Sequence, residues 1–287
     1  MISTPLRSKI LGHTRSISLP SRSHPLIPQF NEHLHRVKAC DSTTPSSSLS
    51  SITRKLNNLD DVYNCVDDLL ALPHTQQVFT KESQEKWVEE TLDGYLRVVD
   101  ACSTAKDIVS HGKQYVLDLL SALRRRRDSD DLCTLLASRK MAKKMIQKSL
   151  RNISSFKNKP TILALEKDHE TIAIISMLKE AESTTLEVIE ELFLSISGTK
   201  GPTGWSLVSR LMSSRKVSGQ EFEEMDAALC KLLSFKISKS GIGMHIDYLQ
   251  HLLRETESSI EIVEETLQRL FKRLIKTRVS LLNMHSQ

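Results

Sequence analysis

The residues best placed to do chemistry stand near the start of the chain, in Arg15-Ser16-Ile17-Ser18-Leu19-Pro20. An arginine three residues before Ser18 offers a guanidinium to the acidic subsite of a basophilic kinase. Pro20, two residues after it, turns the chain as phosphoserine-binding grooves of the 14-3-3 kind require. A phosphate on Ser18 would add roughly −2 charge and 1–3 charge-assisted hydrogen bonds to an arginine cluster. Arg15, Ser18 and Pro20 therefore form a candidate phosphosite and 14-3-3 motif.

A second candidate is a basic surface over residues 124–159. Arg124, Arg125, Arg126 and Arg127 lead into Arg139, Lys140, Lys143, Lys144, Lys148, Arg151, Lys157 and Lys159, with no acid between Asp131 and Glu166. Such a run can meet anionic lipid, with Leu150, Ile153 and Phe156 as apolar anchors. Phe156 is its one aromatic, which argues against base stacking and so against nucleic acid. The favoured partner is internal: Glu166, Asp168, Glu170, Glu180, Glu182, Glu187, Glu190 and Glu191 follow directly, and a short joint at Pro160 would set basic and acidic rims side by side.

Other patterns carry less. The segment 197–204 (SGTKGPTG) lacks the Lys-Ser/Thr end of a phosphate loop and follows a helix pattern, so it reads as a linker. His245 and His251 are six residues apart, without the i, i+4 spacing of a helical metal pair. There is no G-x-S-x-G elbow, and the paired carboxylates sit on heptad-patterned stretches where solvation explains them. The sequence gives no case for an enzyme, a cofactor or a metal.

These candidates must be carried by helices. Hydrophobic residues make up 39% of the 287 residues and aromatics 5%, so the core is aliphatic. Nine Gly and eight Pro leave few breaks in the middle of the chain, which favours long helices over sheet. The five cysteines are scattered, without CxxC spacing, and read as reduced, mostly buried side chains. No uncharged apolar run approaches the roughly 18 residues of a membrane span.

Residues 1–47 hold five of the eight prolines and many serines, with a weak apolar spacing at Phe30, Leu34 and Val37. They read as a disordered arm with at most a short helical turn. From residue 48 on, apolar side chains step by three and four. Leu49, Ile52, Leu56, Leu59, Tyr63, Val66 and Leu70 make a first helix that Pro73 closes. Val88, Thr91, Tyr95, Val98, Cys102, Ala105, Val109, Gly112, Val116, Leu119 and Leu123 make a second, starting near Thr80. Its small residues predict a close helix crossing, with a bend or break at Gly112.

A third helix runs to about Phe156, with Leu132, Leu135, Leu136, Met141, Met145, Ile146, Leu150 and Ile153 on its apolar side. A fourth spans about 161–197, a short one lies near 205–212, and Ser218 to Glu221 has capping-box spacing that opens another. The last is the longest. Ile246, Leu249, Leu253, Thr256, Ile260, Val263, Leu267, Leu270, Leu274, Thr277 and Leu281 form a coiled-coil-like stripe on a helix of roughly 60 Å.

Residues 15–25 (RSISLPSRSHP), the stretch 119–126 ending in consecutive arginines, and 267–283 (LQRLFKRLIKTRVSLLN) together resemble the plant-specific Bypass-related family. The resemblance implies a plant origin, a mostly α-helical fold and an association with root and shoot development through regulation of a long-distance signal. It implies no catalytic residues.

The expectation is an all-α, elongated bundle of long antiparallel helices over 48–287, with joints near 73–80, 126–131, 157–161, 197–204 and 238–243, behind a disordered arm at 1–47. Its function would be non-enzymatic regulation or scaffolding through helix-mediated protein binding. The alternative is a peripheral membrane adaptor using the 124–159 surface. Cytoplasm is the favoured location. The alternative there is the plastid, because the arm is Arg- and Ser-rich and acid-free up to Glu32, as transit peptides are.

Overall fold

The computed structural model describes residues 26–39, 48–82, 85–125, 129–157, 169–198, 221–235 and 242–286. Every regular element among them is an α-helix: α1 (Leu26–Ala39), α2 (Leu49–Ala71), α3 (Pro73–Lys81), α4 (Lys86–Arg124), α5 (Ser129–Lys157), α6 (His169–Ser197), α7 (Glu221–Phe235) and α8 (Ile242–His285).

The apolar stripes locate the core. All seven stripe residues of α2 and all eleven of α4 are buried, Gly112 included. On α8 the stripe is buried from Leu249 to Leu281, with Ile246 packed at its edge. Each fully buried aliphatic side chain contributes about 1.5–3 kcal/mol, so these three stripes hold the molecule together.

Cross-helix pairs give the directions. Lys113 of α4 pairs with Glu261 and Glu264, and Lys106 lies over the Phe271 ring, so α4 and α8 run antiparallel. Lys55 meets Glu191 and Tyr63 meets Thr185, so α2 and α6 are antiparallel as well. By contrast Asn57 accepts from Arg269, Asp60 pairs with Arg273 and Asp67 with Lys276, which makes α2 and α8 parallel. Lys179 donates to the Glu90 carbonyl, and the methyl nearest Gly112 belongs to Ile196, so α4 and α6 are parallel. The bundle expected from the sequence is therefore built on four helices, and two of its four seams run parallel. The cause is α5. After a joint of only four residues it folds back along α4, bringing Arg139 over the Tyr115 ring, and so returns the chain to start α6 in the direction of α4.

Shorter helices close the sides. The arm expected over 1–47 contains α1, whose Phe30, Leu34 and Val37 are buried against α2 and α6. Pro28 falls in its first turn, where backbone N–H groups lack helical partners anyway. Pro73 does not merely end α2; it stands at the first position of α3, after the single residue Leu72. α4 accordingly begins at Lys86, and it passes through Gly112 without a break. The close crossing expected there is made by Phe222 of α7, whose Cζ would lie 3.2 Å from a Cβ on Gly112. The helix expected near 205–212 and Ser218 lie outside the described residues.

α7 opens at Glu221, and its carboxylate serves another helix. The Leu49 N–H at the start of α2 donates to Oε1 at 3.1 Å and Oε2 at 3.3 Å. Ser48 caps the same end, its Oγ accepting from the Ser51 N–H at 3.2 Å. Burial pushes the Glu221 carboxyl above the ordinary range, against these backbone bonds, which act the other way.

Candidate interaction surface

The predicted basic surface divides into three parts. Arg124 and Arg125 are exposed at the C-terminal end of α4, where they line a groove of about 280 Å³ with Leu117, Leu120, Ser121 and Glu257. Arg126 and Arg127 lie outside the described residues, as do Arg15, Ser18 and Pro20. The remainder is on α5. Lys140 stands eleven residues into that helix, about 17 Å along its axis, so the two groups of cations do not form one patch.

Within α5 the inward cations are consumed. Arg139 is 3% exposed, its guanidinium held between the rings of Tyr115 and Phe222. It donates to both carboxylate oxygens of Asp226 at 3.3 Å and to the Ile196 carbonyl. Lys143 takes the same carboxylate at 2.8 Å. A planar fork satisfied on several sides suits arginine and not lysine. The sequence marks Arg139 by position: it falls on the three-four stripe that includes Leu132, Leu135, Ile146, Leu150 and Ile153. Lys55, 2% exposed and 2.8 Å from Glu191, interrupts the α2 stripe in the same way.

The outward cations face solvent. Lys140, Lys144, Lys148 and Arg151 are exposed, and among the described residues none has a carboxylate partner. Met141 and Met145, expected on the apolar side of this helix, are 59% and 50% exposed. The reason is angular: the inner arc is already taken by Leu132, Arg139, Ile146 and Ile153.

The acids following α5 were expected to receive these cations; among the described residues Lys140, Lys144, Lys148 and Arg151 reach none of them, while Glu166 and Asp168 lie outside the described residues. Glu180 pairs with Lys38 of α1, Glu191 with Lys55 of α2, and Glu170 with His74 of α3. Glu182, 7% exposed, sits 3.0 Å from Arg97 of α4 and 3.4 Å from Lys179. It lies against the α4 backbone at Gly94, where a Cβ would come within 2.2 Å of Oε2. α6 is surrounded by α1, α2, α3 and α4, so its carboxylates meet closer cations than those of α5.

The remaining groups with chemical potential are dispersed. Among the described residues no cluster of His, Cys, Asp and Glu could hold a metal ion. His245 and His251 sit on α8, the latter beside Glu255 at 3.5 Å. Burial pushes the Cys102 thiol up to about 12 and that of Cys65 up as well, so neither is a nucleophile at neutral pH. Cys133 and Cys230 are exposed, which departs from the expectation of mostly buried thiols. Among the described residues no helix is long and apolar enough to cross a membrane.

The family described as Protein BPS1 matches residues 55–284. That span holds α3 to α7, all of α8 but its last residue, and all but the first turn or two of α2, together with two of the three resembling stretches, while residues 15–25 precede it. No curated protein and no solved structure matches the chain. A helical bundle whose matched region covers most of the sequence, with the C-terminal motif on its longest helix, belongs to the plant BPS1, or Bypass-related, family.

Proposed function

We propose that this protein is a non-enzymatic regulatory scaffold of plant root and shoot development that works by binding protein partners along its helices. The supporting observation is on α8. The buried stripe of this helix is complete, yet Ile275 and Val279 are 41% and 48% exposed, one turn apart. Phe271 and Leu282 continue that line, half-buried. Apolar side chains at i, i+4 spacing outside a finished core are what a partner helix uses. Proximity labelling in plant tissue, comparing the native chain with Ile275→Asp/Val279→Asp, tests this. The reading expects a defined set of neighbours to disappear from the variant; an unchanged set contradicts it.

The arm supplies the switch in this reading. Phosphorylated Ser18, with Arg15 and Pro20 beside it, recruits a 14-3-3 protein in the cytoplasm. Equal 14-3-3 capture by the native chain and Ser18→Ala from phosphatase-inhibited extract contradicts the switch, and a C-terminal fluorescent fusion that fills plastids contradicts the location.

A further inference from the structure

We propose that the outward face of α5 docks this protein on an anionic lipid surface, a role beyond the protein-binding reading above and independent of it. At about 100° per residue, Lys140, Arg151, Lys144 and Lys148 occupy adjacent positions on the helix, and Met141 and Met145 follow on the same exposed arc, about 140° in all. Between Asp131 and the end of α5 there is no acid. The carboxylate that α7 presents to this helix, Asp226, is already held by Arg139 and Lys143 on the inner side. Glu180, Glu191, Glu170 and Glu182 of α6 turn to α1, α2, α3 and α4. Four long cationic chains are thus left along roughly 17 Å of one helix with no counter-charge inside the described molecule.

The shape and chemistry favour a bilayer over other anions. The face is the convex side of a single helix and shows no aromatic between Lys140 and Arg151 on which a nucleobase could stack. Lysine and arginine chains of this length lay their methylenes on apolar surface while their heads stay at the phosphate level. Two unbranched thioether side chains, at least half exposed beside them, supply shallow apolar insertion. The inner arc, with Ile146 and Ile153 buried, is committed to the bundle, so α5 rests on the membrane without leaving the fold. Each cation held at an anionic bilayer strengthens binding about fivefold, and the effect is screened by salt.

Vesicle flotation of the full chain tests this, using phosphatidylcholine vesicles with and without phosphatidylserine, at low and high salt. The expected result is flotation only with phosphatidylserine, weakened by salt. Lys144→Gln/Lys148→Gln should lower the partition coefficient about 25-fold. Met141→Ala/Met145→Ala should lower it at unchanged charge. Lys231→Gln/Lys272→Gln, which removes the same charge from exposed sites on α7 and α8, should float as the native chain does. Circular dichroism confirms that each variant keeps its helix content. The proposal is overturned if the chain does not float with phosphatidylserine, if both lysine pairs weaken binding equally, or if polyglutamate or RNA is bound while vesicles are not.

Discussion

α5 and α6 are each 29 residues long, consecutive in the chain and opposite in charge, yet they end in opposite circumstances. α6 is enclosed by α1 to α5: Ile174, Leu178, Ala181, Thr185, Ile189, Leu192, Phe193 and Ile196 are all buried, and Glu180, Glu191 and Glu182 find cations on α1, α2 and α4, with Glu170 beside His74 of α3. α5 lies on the outside of α4 and α6 and buries Leu132, Arg139, Ile146 and Ile153. The difference is one of enclosure. A charged helix in the middle of a bundle chooses among several partners, while one at the edge keeps on its outer face whatever the bundle does not use. Complementary charge blocks in sequence therefore do not establish pairing.

One substitution at a buried position of α6 and one at an exposed position of α5 sharpen the contrast. Phe193→Ala in α6 should destabilise the fold by about 3–5 kcal/mol, lowering the melting temperature by roughly 10 °C. Met145→Ala in α5 should stay within about 0.5 kcal/mol of the native chain in the same thermal unfolding experiment. Equal losses would break the comparison.

Arg139 is the exception on α5, because it is buried among two rings, a carboxylate and a carbonyl. Arg139→Ala should cost about 3 kcal/mol in denaturant unfolding. Arg139→Lys should recover only part of it, since an ammonium cannot fork between Asp226 and the Ile196 carbonyl.

A smaller effect belongs to Glu221. Glu221→Ala removes the acceptor for the Leu49 N–H and should cost about 1 kcal/mol. Its carboxyl is raised in the folded state, so between its unfolded and folded pKa values the folded chain binds more protons, and stability falls as pH rises through that window. Glu221→Gln should abolish that slope while keeping an acceptor for Leu49; a slope unchanged by the substitution would contradict the assignment. Least of all, Lys144→Gln/Lys148→Gln should leave the melting temperature within about 2 °C, because exposed cations without partners hold nothing in place.

The helical core was legible because its signal is periodic. The stripes of α2, α4 and α8 read from apolar spacing are the buried faces, residue for residue apart from the half-buried Ile246. α1 was obscured because prolines and serines dominate its surroundings, and three apolar side chains at helical spacing are too few to outweigh them. Pro73 was ambiguous because proline suits both the residue after one helix and the first residue of the next. The S-x-x-E spacing announced the helix that opens at Glu221, with Ser218 outside the described residues, but no local pattern signals that the carboxylate reaches the start of a helix far away in sequence. The cationic face on α5 was visible as composition, but not its division. Arg139 turns inward because a stripe position places it there, and Met141 and Met145 turn outward because the inner arc is full.

The central claim is that the bundle uses its inner charges for structure and leaves those of α5 outside. Lysine acetylation kinetics, followed residue by residue by mass spectrometry on the native chain, tests it most directly. Lys140, Lys144 and Lys148 should react at the rate of free exposed lysines, while Lys55, buried against Glu191, should react only on unfolding. Protection of Lys144 and Lys148, or modification of Lys55 as fast as theirs, would contradict it.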